Sequence, residues 1–429
     1  MHVFDAIVRR FRGRMSTPDL YRLIVAGLTV LGLGAGIAGL VAVRHRSAMI
    51  GDMRQASGPL TVVAQELYRS LSDADATAAG AFLLTESDGQ RRRYLDDIAR
   101  ANAAVTVATR AAGDADAIRL RDLAAQLTVY TGLIETARSY DRVGLPLGGA
   151  YLREASNLMR TGLLPAAEEL LAGAQGRLTG TQREATGFPW AVALLGLLTL
   201  LALLTAQVLV FRRSNRVINP GLAAATVLLV ISVIWSVAAL GASAGQVEIG
   251  RRDGSASAAV LTDARRAALQ SRADEALTLI ARGGGDAYEA DLKKLLDGLT
   301  GPDGRGGLLA DAARLAPAEA DRAAVADARD HATRWRELHG KVRDNDAGGD
   351  WDTAVMLATT PNPDNATEAF GKLDAALTSA LRLADARVDR QAERAGRALT
   401  GLTLALVLLT AGQVAAVLLG FRPRLREYR

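Results

Sequence analysis

The sequence predicts an all-α, polytopic membrane protein with four transmembrane helices and two extracytoplasmic antiparallel four-helix bundles, related by tandem duplication. Three observations lead to this fold class. Four apolar segments are long enough to cross a bilayer, arginine clusters lie at their ends, and apolar residues recur at steps of three and four in the segments between them. Each predicted element follows from one of these patterns.

The four apolar segments are the predicted transmembrane helices. They occupy residues 20–43, 188–211, 221–245 and 399–421, and each has more than 20 residues. At about 1.5 Å per helical residue, this length exceeds the roughly 30 Å thickness of the hydrocarbon core. A buried helix of a soluble protein is an alternative, but its apolar run is usually only about 10 to 14 residues. The first segment could also be a cleaved signal peptide, but its long basic leader and the spans that follow favour a retained helix.

Arginine clusters predict the orientation of these helices. Because arginines are enriched in cytoplasmic loops, we expect the leader 1–19, the elbow 212–220 and the tail 422–429 to be cytoplasmic in a plasma-membrane protein. With Arg22, these pieces hold 12 basic and 3 acidic residues, whereas the two long segments between the apolar runs hold 39 and 43. The isoelectric point near 9.7 therefore reflects membrane orientation, and nucleic acid is not an expected partner.

The two long segments, residues 44–187 and 246–398, are predicted to be extracytoplasmic helical bundles. Apolar stripes at helical spacing indicate helices that are buried along one face. The first stripe contains Leu60, Val63, Leu67, Leu71, Ala74, Ala78 and Ala81. Trp335, Leu338 and Val342 share a face in the second segment. Four antiparallel helices per segment, with the first and last continuous with a membrane span, is the simplest arrangement.

Internal similarity predicts that the second half is a diverged copy of the first. The stretch "LTAQVLVFR" near the end of the second span resembles "LTAGQVAAVLLGFR" at the end of the fourth. Likewise, "SDADATAAGAFL" in the first bundle resembles "SRADEALTLIARG" in the second. Chance similarity between alanine-rich helices is the alternative, but the order span, bundle, span repeats as a unit. The two halves could then pack as a pseudo-dimer within one chain, while the oligomeric state stays open.

The residues that usually carry chemistry are sparse. There is no cysteine, the four histidines lack a neighbouring carboxylate cluster, and no nucleotide-binding or hydrolase motif follows a predicted strand. We therefore expect no enzyme, no cofactor and no metal site. Transport is a minor alternative, because apart from Arg22 the spans carry no charged residue and only Gln207 and Gln413 are notably polar.

Two groups of charged residues are candidate contact sites. Asp73 and Asp75 are candidates for an extracytoplasmic partner or ligand, although a solvated helix face is the common alternative. The candidate cytoplasmic contacts are arginines, which could instead serve only to orient the spans and bind anionic lipid headgroups. These arginines are Arg9, Arg10, Arg12, Arg14, Arg212, Arg213 and Arg216.

The layout resembles the sensory half of bacterial chemoreceptors and histidine kinases, but no cytoplasmic kinase or HAMP-like linker is present. Four stretches carry a closer resemblance: "LYRSLSDADATAAGAFL", "RYLDDIARA", "YDRVGLPLGGAYLREAS" and "ADEALTLIARGGGDAYEADL". In these stretches the chain resembles the actinobacterial four-span membrane proteins called GlnX. The resemblance implies two partners, a periplasmic lipoprotein that senses glutamate or aspartate and the soluble serine/threonine kinase PknG.

The residues themselves predict a compatible role. The cytoplasmic pieces are too short to form a catalytic core, so any output must act through a recruited soluble partner. Together with the partners that the resemblance to GlnX implies, this predicts a transmembrane signal relay that passes the state of the amino-acid-binding lipoprotein to the kinase. A membrane scaffold or envelope assembly protein that does not switch is the alternative.

Overall fold

The computed structural model describes residues 17–83, 88–111, 114–214, 219–360 and 362–426. These ranges are helical apart from short turns and contain no strand, which confirms the all-α fold class. The helices are α1 Thr17–Asp52, α2 Gly58–Leu83, α3 Asp88–Ala111, α4 Asp114–Arg142, α5 Leu147–Leu158, α6 Leu164–Thr186, α7 Trp190–Ser214, α8 Pro220–Gly250, α9 Ala256–Ile280, α10 Asp286–Thr300, α11 Gly307–Leu315, α12 Glu319–Ala347, α13 Trp351–Thr359, α14 Ala366–Ala398 and α15 Leu402–Arg426. Short π-helical segments at Met53–Ser57, Met159–Leu163 and Arg251–Ser255 precede α2, α6 and α9.

The chain divides into two compact units. The apolar unit comprises the described residues within the ranges 17–51, 183–247 and 392–426. The bundle unit comprises residues 52–182, here called the first half, and residues 248–391, the second half. The predicted membrane helices and the predicted bundles therefore fall into different units.

The apolar unit contains α1, α7, α8 and α15. These four helices are long and apolar enough to cross a membrane, as predicted. Small residues allow two of the helices to lie close together, since a Cβ atom added at Gly221 would clash with the backbone of Gly420. Polar side chains also connect helices within the unit. Gln207 of α7 donates to the carbonyl of Leu222 (3.1 Å) and to the hydroxyl of Thr226 (2.8 Å), both on α8.

The first half contains α2 to α6 around an apolar core. The predicted stripe on α2 is buried, with Leu67 and Leu71 fully inaccessible. Tyr130 and Ile134 of α4 and Met159 of the second π-helical segment fill the same core. Burial of large side chains from several helices accounts for the packing of this half.

The second half contains α9 to α14 around a separate core. Trp335, Leu338 and Val342 are buried on one face of α12, as predicted. The ring of Phe370 meets that of Trp335 edge to face, with 5.1 Å between centroids. Each half has its own apolar core although both belong to one compact unit, so the boundaries of two separate bundle domains stay a prediction.

The predicted continuity between spans and bundles is correct at two junctions and wrong at two. Helical structure runs without interruption from Thr17 to Leu83 and from Pro220 to Ile280. In contrast, the helix breaks at residues 187–189 between α6 and α7, and at residues 399–401 between α14 and α15. Pro189 accounts for the first break because it has no amide hydrogen, and Gly401 for the second because its φ of +78° is outside helical values.

Candidate functional site

The two halves of the bundle unit meet along α2 and α9. The side-chain amide of Gln65 on α2 donates to the hydroxyl of Thr262 on α9 at 3.1 Å. The C-terminal ends of these helices also exchange apolar contacts. Ala79 and Leu83 of α2 belong to the core of the second half, and Ile280 of α9 packs against the core of the first.

A buried ion pair joins the halves near this contact. The guanidinium of Arg160, from the second π-helical segment, pairs with the carboxylate of Asp274 on α9. The side chain of Asp274 is completely buried, and that of Arg160 is 17% exposed. The ring of Tyr288 lies 5.3 Å from the guanidinium carbon. Leaving a buried carboxylate without its partner is strongly destabilising, so this pair favours the arrangement in which the halves bring Arg160 and Asp274 together.

Asp75 is buried in the first half. Its carboxylate accepts hydrogen bonds from the hydroxyls of Tyr130 (3.2 Å) and Ser156 (2.9 Å). Burial raises the pKa of Asp75 above its usual value. The alternative of a solvated helix face is therefore wrong for Asp75, because it follows Leu71 by one helical turn and shares its buried face. Contact of Asp75 with an extracytoplasmic partner or ligand stays a prediction. Its carboxylate serves to connect α2, α4 and α5.

Asp73 is partly exposed and lies at an opening between the halves. Its carboxylate accepts a hydrogen bond from Arg69 on the preceding turn at 3.0 Å. Burial raises the pKa of Asp73 to about 7, and the carboxylate of Asp374 on α14 adds to this effect. Asp374 belongs to the second half and accepts hydrogen bonds from Nε and Nη2 of Arg265, at 2.7 and 3.1 Å. Carboxylates of the two halves thus influence each other across the opening.

The opening is a cleft of about 780 Å³, here called the charged cleft. Helices α2 and α3 of the first half form one wall, and α9, α13 and α14 of the second half form the other. Its charged side chains are Asp73, Arg93, Asp96, Asp97, Arg100, Arg272 and Asp374. Hydroxyls and one aromatic ring complete the lining, from Thr77, Thr359, Thr367 and Phe370. A second cavity of about 500 Å³ shares Leu269 and Asp374 with it.

A buried charged cluster lies behind this wall in the second half. His339 on α12 contacts Glu275 at 2.9 Å and Glu289 at 3.2 Å. Burial by itself would lower the pKa of His339, but hydrogen bonds with the two carboxylates outweigh it and raise the pKa to about 9. Glu275 also pairs with Arg272, a residue of the charged cleft. The cluster therefore connects the cleft wall to the core of the second half.

Sequence reasoning found one wall residue of the cleft, Asp73, and missed the residues that it meets. Arg160, Asp274 and Asp374 lie on amphipathic helices, where charged residues usually face solvent. The internal similarity could have indicated one of them. When "SRADEALTLIARG" is aligned with "SDADATAAGAFL", Asp274 aligns with Asp75. Both of these aspartates are buried.

The candidate cytoplasmic contacts are only partly described. Arg212, at the end of α7, is exposed. The side chain of Arg213, together with Arg216, Arg9, Arg10, Arg12 and Arg14, lies outside the described residues. Partner contact by these arginines therefore stays a prediction.

Comparison with known proteins gives one informative match. Residues 49–183 match the family model described as an actinobacterial sensor domain. The match covers the whole first half of the bundle unit, including Asp73, Asp75 and Arg160. Neither a curated protein nor a solved structure shows significant similarity to the chain. The match supports an actinobacterial sensor protein of the membrane, with a role in sensing or signalling.

Proposed function

We propose that the chain is a transmembrane signal relay. Outside the cell it would contact a lipoprotein that binds glutamate or aspartate, and inside it would control a soluble serine/threonine kinase. The observation that carries the proposal is the uninterrupted helical structure of residues 17–83 and 220–280. Each stretch joins an apolar helix to one of the two helices, α2 and α9, at which the halves of the bundle unit meet.

The contacts between the halves suit a switching element. Arg160 with Asp274 and Gln65 with Thr262 connect helices of different halves through polar groups. A partner that binds one half more tightly in one arrangement would shift α2 against α9. Because α2 and α9 continue from α1 and α8, such a shift would be available to the cytoplasmic ends of those helices.

The two partners are inferred from the resemblance to GlnX and from the match to a sensor domain. Purification of the full chain from its own membranes, followed by mass spectrometry of the bound proteins, tests them directly. We expect a solute-binding lipoprotein and a soluble kinase in the same preparation. Recovery of envelope assembly proteins without either of them would favour a scaffold instead.

The arginines of the elbow are the proposed contact with the kinase. Replacement of Arg212, Arg213 and Arg216 by lysine keeps the charge that orients the spans but removes the planar guanidinium, which binds carboxylates and phosphates in bidentate fashion. We expect normal insertion and loss of kinase recruitment. The equivalent lysine replacement of Arg422, Arg424 and Arg426 is the matched control. Equal kinase recruitment by both variants would contradict a specific role of the elbow.

Orientation can be tested independently of any partner. A reporter that works only in the cytoplasm should be active when fused after Arg216 or Arg429, and inactive when inserted near Gly113 or Gly304. Activity at either of the latter positions would reverse the topology, and with it the assignment of input and output sides.

A further inference from the structure

The charged cleft has the size of a small-molecule site and is open. At about 780 Å³ it falls in the range of roughly 300 to 1,000 Å³ that is typical of ligand pockets. Both halves contribute to its walls, so a bound molecule would contact α2 and α3 on one side and α14 on the other. Binding of a small molecule in the charged cleft does not depend on the proposed relay, because it requires neither the lipoprotein nor the kinase.

Most charged groups of the cleft already have a partner in the protein. Asp374 is held by Arg265, and Asp97 pairs with Arg100. The guanidinium of Arg272 donates to the carbonyl of Ala358 at 2.7 Å and to the hydroxyl of Thr367 at 2.9 Å. These pairs fix the walls of the cleft.

Two charged groups of opposite sign are left over. Among the described residues, Arg93 and Asp96 have neither an ion-pair nor a hydrogen-bond partner, and both side chains are exposed at the cleft. They lie three residues apart on α3, so they are neighbours on one helix face. Of its described residues, the cleft thus offers one free cation, Arg93, and one free anion, Asp96, to a ligand.

The lining disfavours the other common ligand classes. A ligand with only negative charge would meet the carboxylates of Asp73, Asp96 and Asp374, and a ligand with only positive charge would meet Arg93 and Arg100. A large aromatic ligand would find one aromatic ring among the described lining residues, that of Phe370. A molecule with both charges can satisfy both kinds of side chain.

We propose that the charged cleft binds a small zwitterion, a molecule that carries a carboxylate and an ammonium group a few bonds apart. Its carboxylate would accept hydrogen bonds from Arg93 of α3, the cation of the cleft that has no partner among the described residues. Its ammonium group would donate to Asp96, the carboxylate of the cleft that has no partner among the described residues.

Direct titration of the purified full chain in lipid nanodiscs, with no other protein present, tests the proposal. The probes are glycine, L-aspartate, L-glutamine and L-lysine as zwitterions, succinate as an anion without an ammonium group, and putrescine as a cation without a carboxylate. We expect saturable heat of binding from at least one zwitterion and from neither succinate nor putrescine.

Two exposed substitutions locate the site without disturbing the fold. Arg93→Gln and Asp96→Asn should each weaken binding at least about tenfold, the usual effect of losing one charge-assisted hydrogen bond. Arg92→Gln, on the same helix but outside the cleft, and Asp330→Asn, exposed on α12, are the matched controls and should bind like the parent.

Three results would overturn the proposal: no binding of any zwitterion, equal binding of succinate or putrescine, or unchanged binding in both cleft variants. Failure of the relay would appear in the kinase and lipoprotein experiments instead. Failure of zwitterion binding and failure of the relay can therefore be distinguished.

Discussion

The ion pair between Arg160 and Asp274 gives the sharpest test of how the halves are joined. Arg160→Met keeps most of the side-chain volume and removes the guanidinium, so that the carboxylate of Asp274 is left buried and unpaired. The side chain of Asp274 is 0% exposed, and its second oxygen, Oδ2, has no hydrogen-bond partner among the described residues. Breaking such a pair from one side costs about 3–5 kcal/mol.

Substitution of the other partner, Asp274, should lower the stability less than Arg160→Met does. Asp274→Asn removes the buried charge, and Arg160, which is 17% exposed, can turn toward water. The double variant Arg160→Met with Asp274→Asn should therefore be more stable than Arg160→Met alone. This order distinguishes a buried carboxylate from a simple loss of contact area.

Thermal unfolding of the full chain, followed by circular dichroism, measures these differences. For a unit of this size, about 4 kcal/mol corresponds to a lower melting temperature by roughly 10 °C. Arg177→Met is the matched control, because Arg177 pairs with Asp116 at 2.9 Å but is 47% exposed, and such surface pairs contribute about 0–1 kcal/mol. If Arg160→Met melts no lower than Arg177→Met, the buried ion pair does not join the halves.

Four further predictions follow from particular side chains. Leu127→Asp places a carboxylate in the core of the first half and should cost several kcal/mol in thermal unfolding, whereas Val129→Asp, at a position 57% exposed on the same helix, should cost little. Asp73 keeps its proton to about pH 7 in the folded protein but loses it near pH 4 when unfolded, so stability falls as the pH rises through this window. Asp73→Asn should remove that part of the pH dependence, and an unchanged slope would contradict the position of Asp73. His339 stabilises the fold below about pH 6.5 and this contribution is lost as the pH rises through about 9, so His339→Gln should flatten the stability profile over that range. Deletion of Gln55 from the first π-helical segment should be tolerated, because a π-helical turn holds one residue more than an α-helical turn, whereas deletion of Ala76 within α2 should unfold the first half.

Much of the fold could be predicted because membrane spans and buried stripes have strong sequence signals. Four long apolar runs and the spacing of Leu67 and Leu71 were sufficient to place the apolar helices and the buried face of α2. Interruptions of the helices were harder to predict from the sequence. Pro189 and Gly401 lie at the edges of apolar runs, where a continuous helix was the simpler expectation.

The candidate site could not be predicted because it depends on contacts between distant parts of the chain. Asp73 and Asp374 are far apart in sequence and influence each other only once the halves pack together. Asp75 and Asp274 were indistinguishable from solvated charges until their partners, Ser156 and Arg160, were known. Charge partners across a tertiary interface leave no periodic pattern in the sequence.

The distribution of apolar and charged contacts in the bundle unit has a mechanical consequence. Within each half, large apolar side chains such as Leu71 and Trp335 are packed at full burial, and displacing them would cost several kcal/mol each. Across the interface between the halves, ion pairs accompany the apolar contacts of Ala79, Leu83 and Ile280. Arg160 pairs with Asp274, and Arg266 pairs with Glu168. Ion pairs contribute little net stability compared with apolar packing, but they depend strongly on geometry. A shift of α2 against α9 that keeps the buried pair of Arg160 and Asp274 intact should therefore cost less than an internal rearrangement of either half, whereas a shift that breaks this pair costs about 3–5 kcal/mol. A ligand held between α3 and α14 would act on this weaker connection, which is where a small binding energy has the greatest effect.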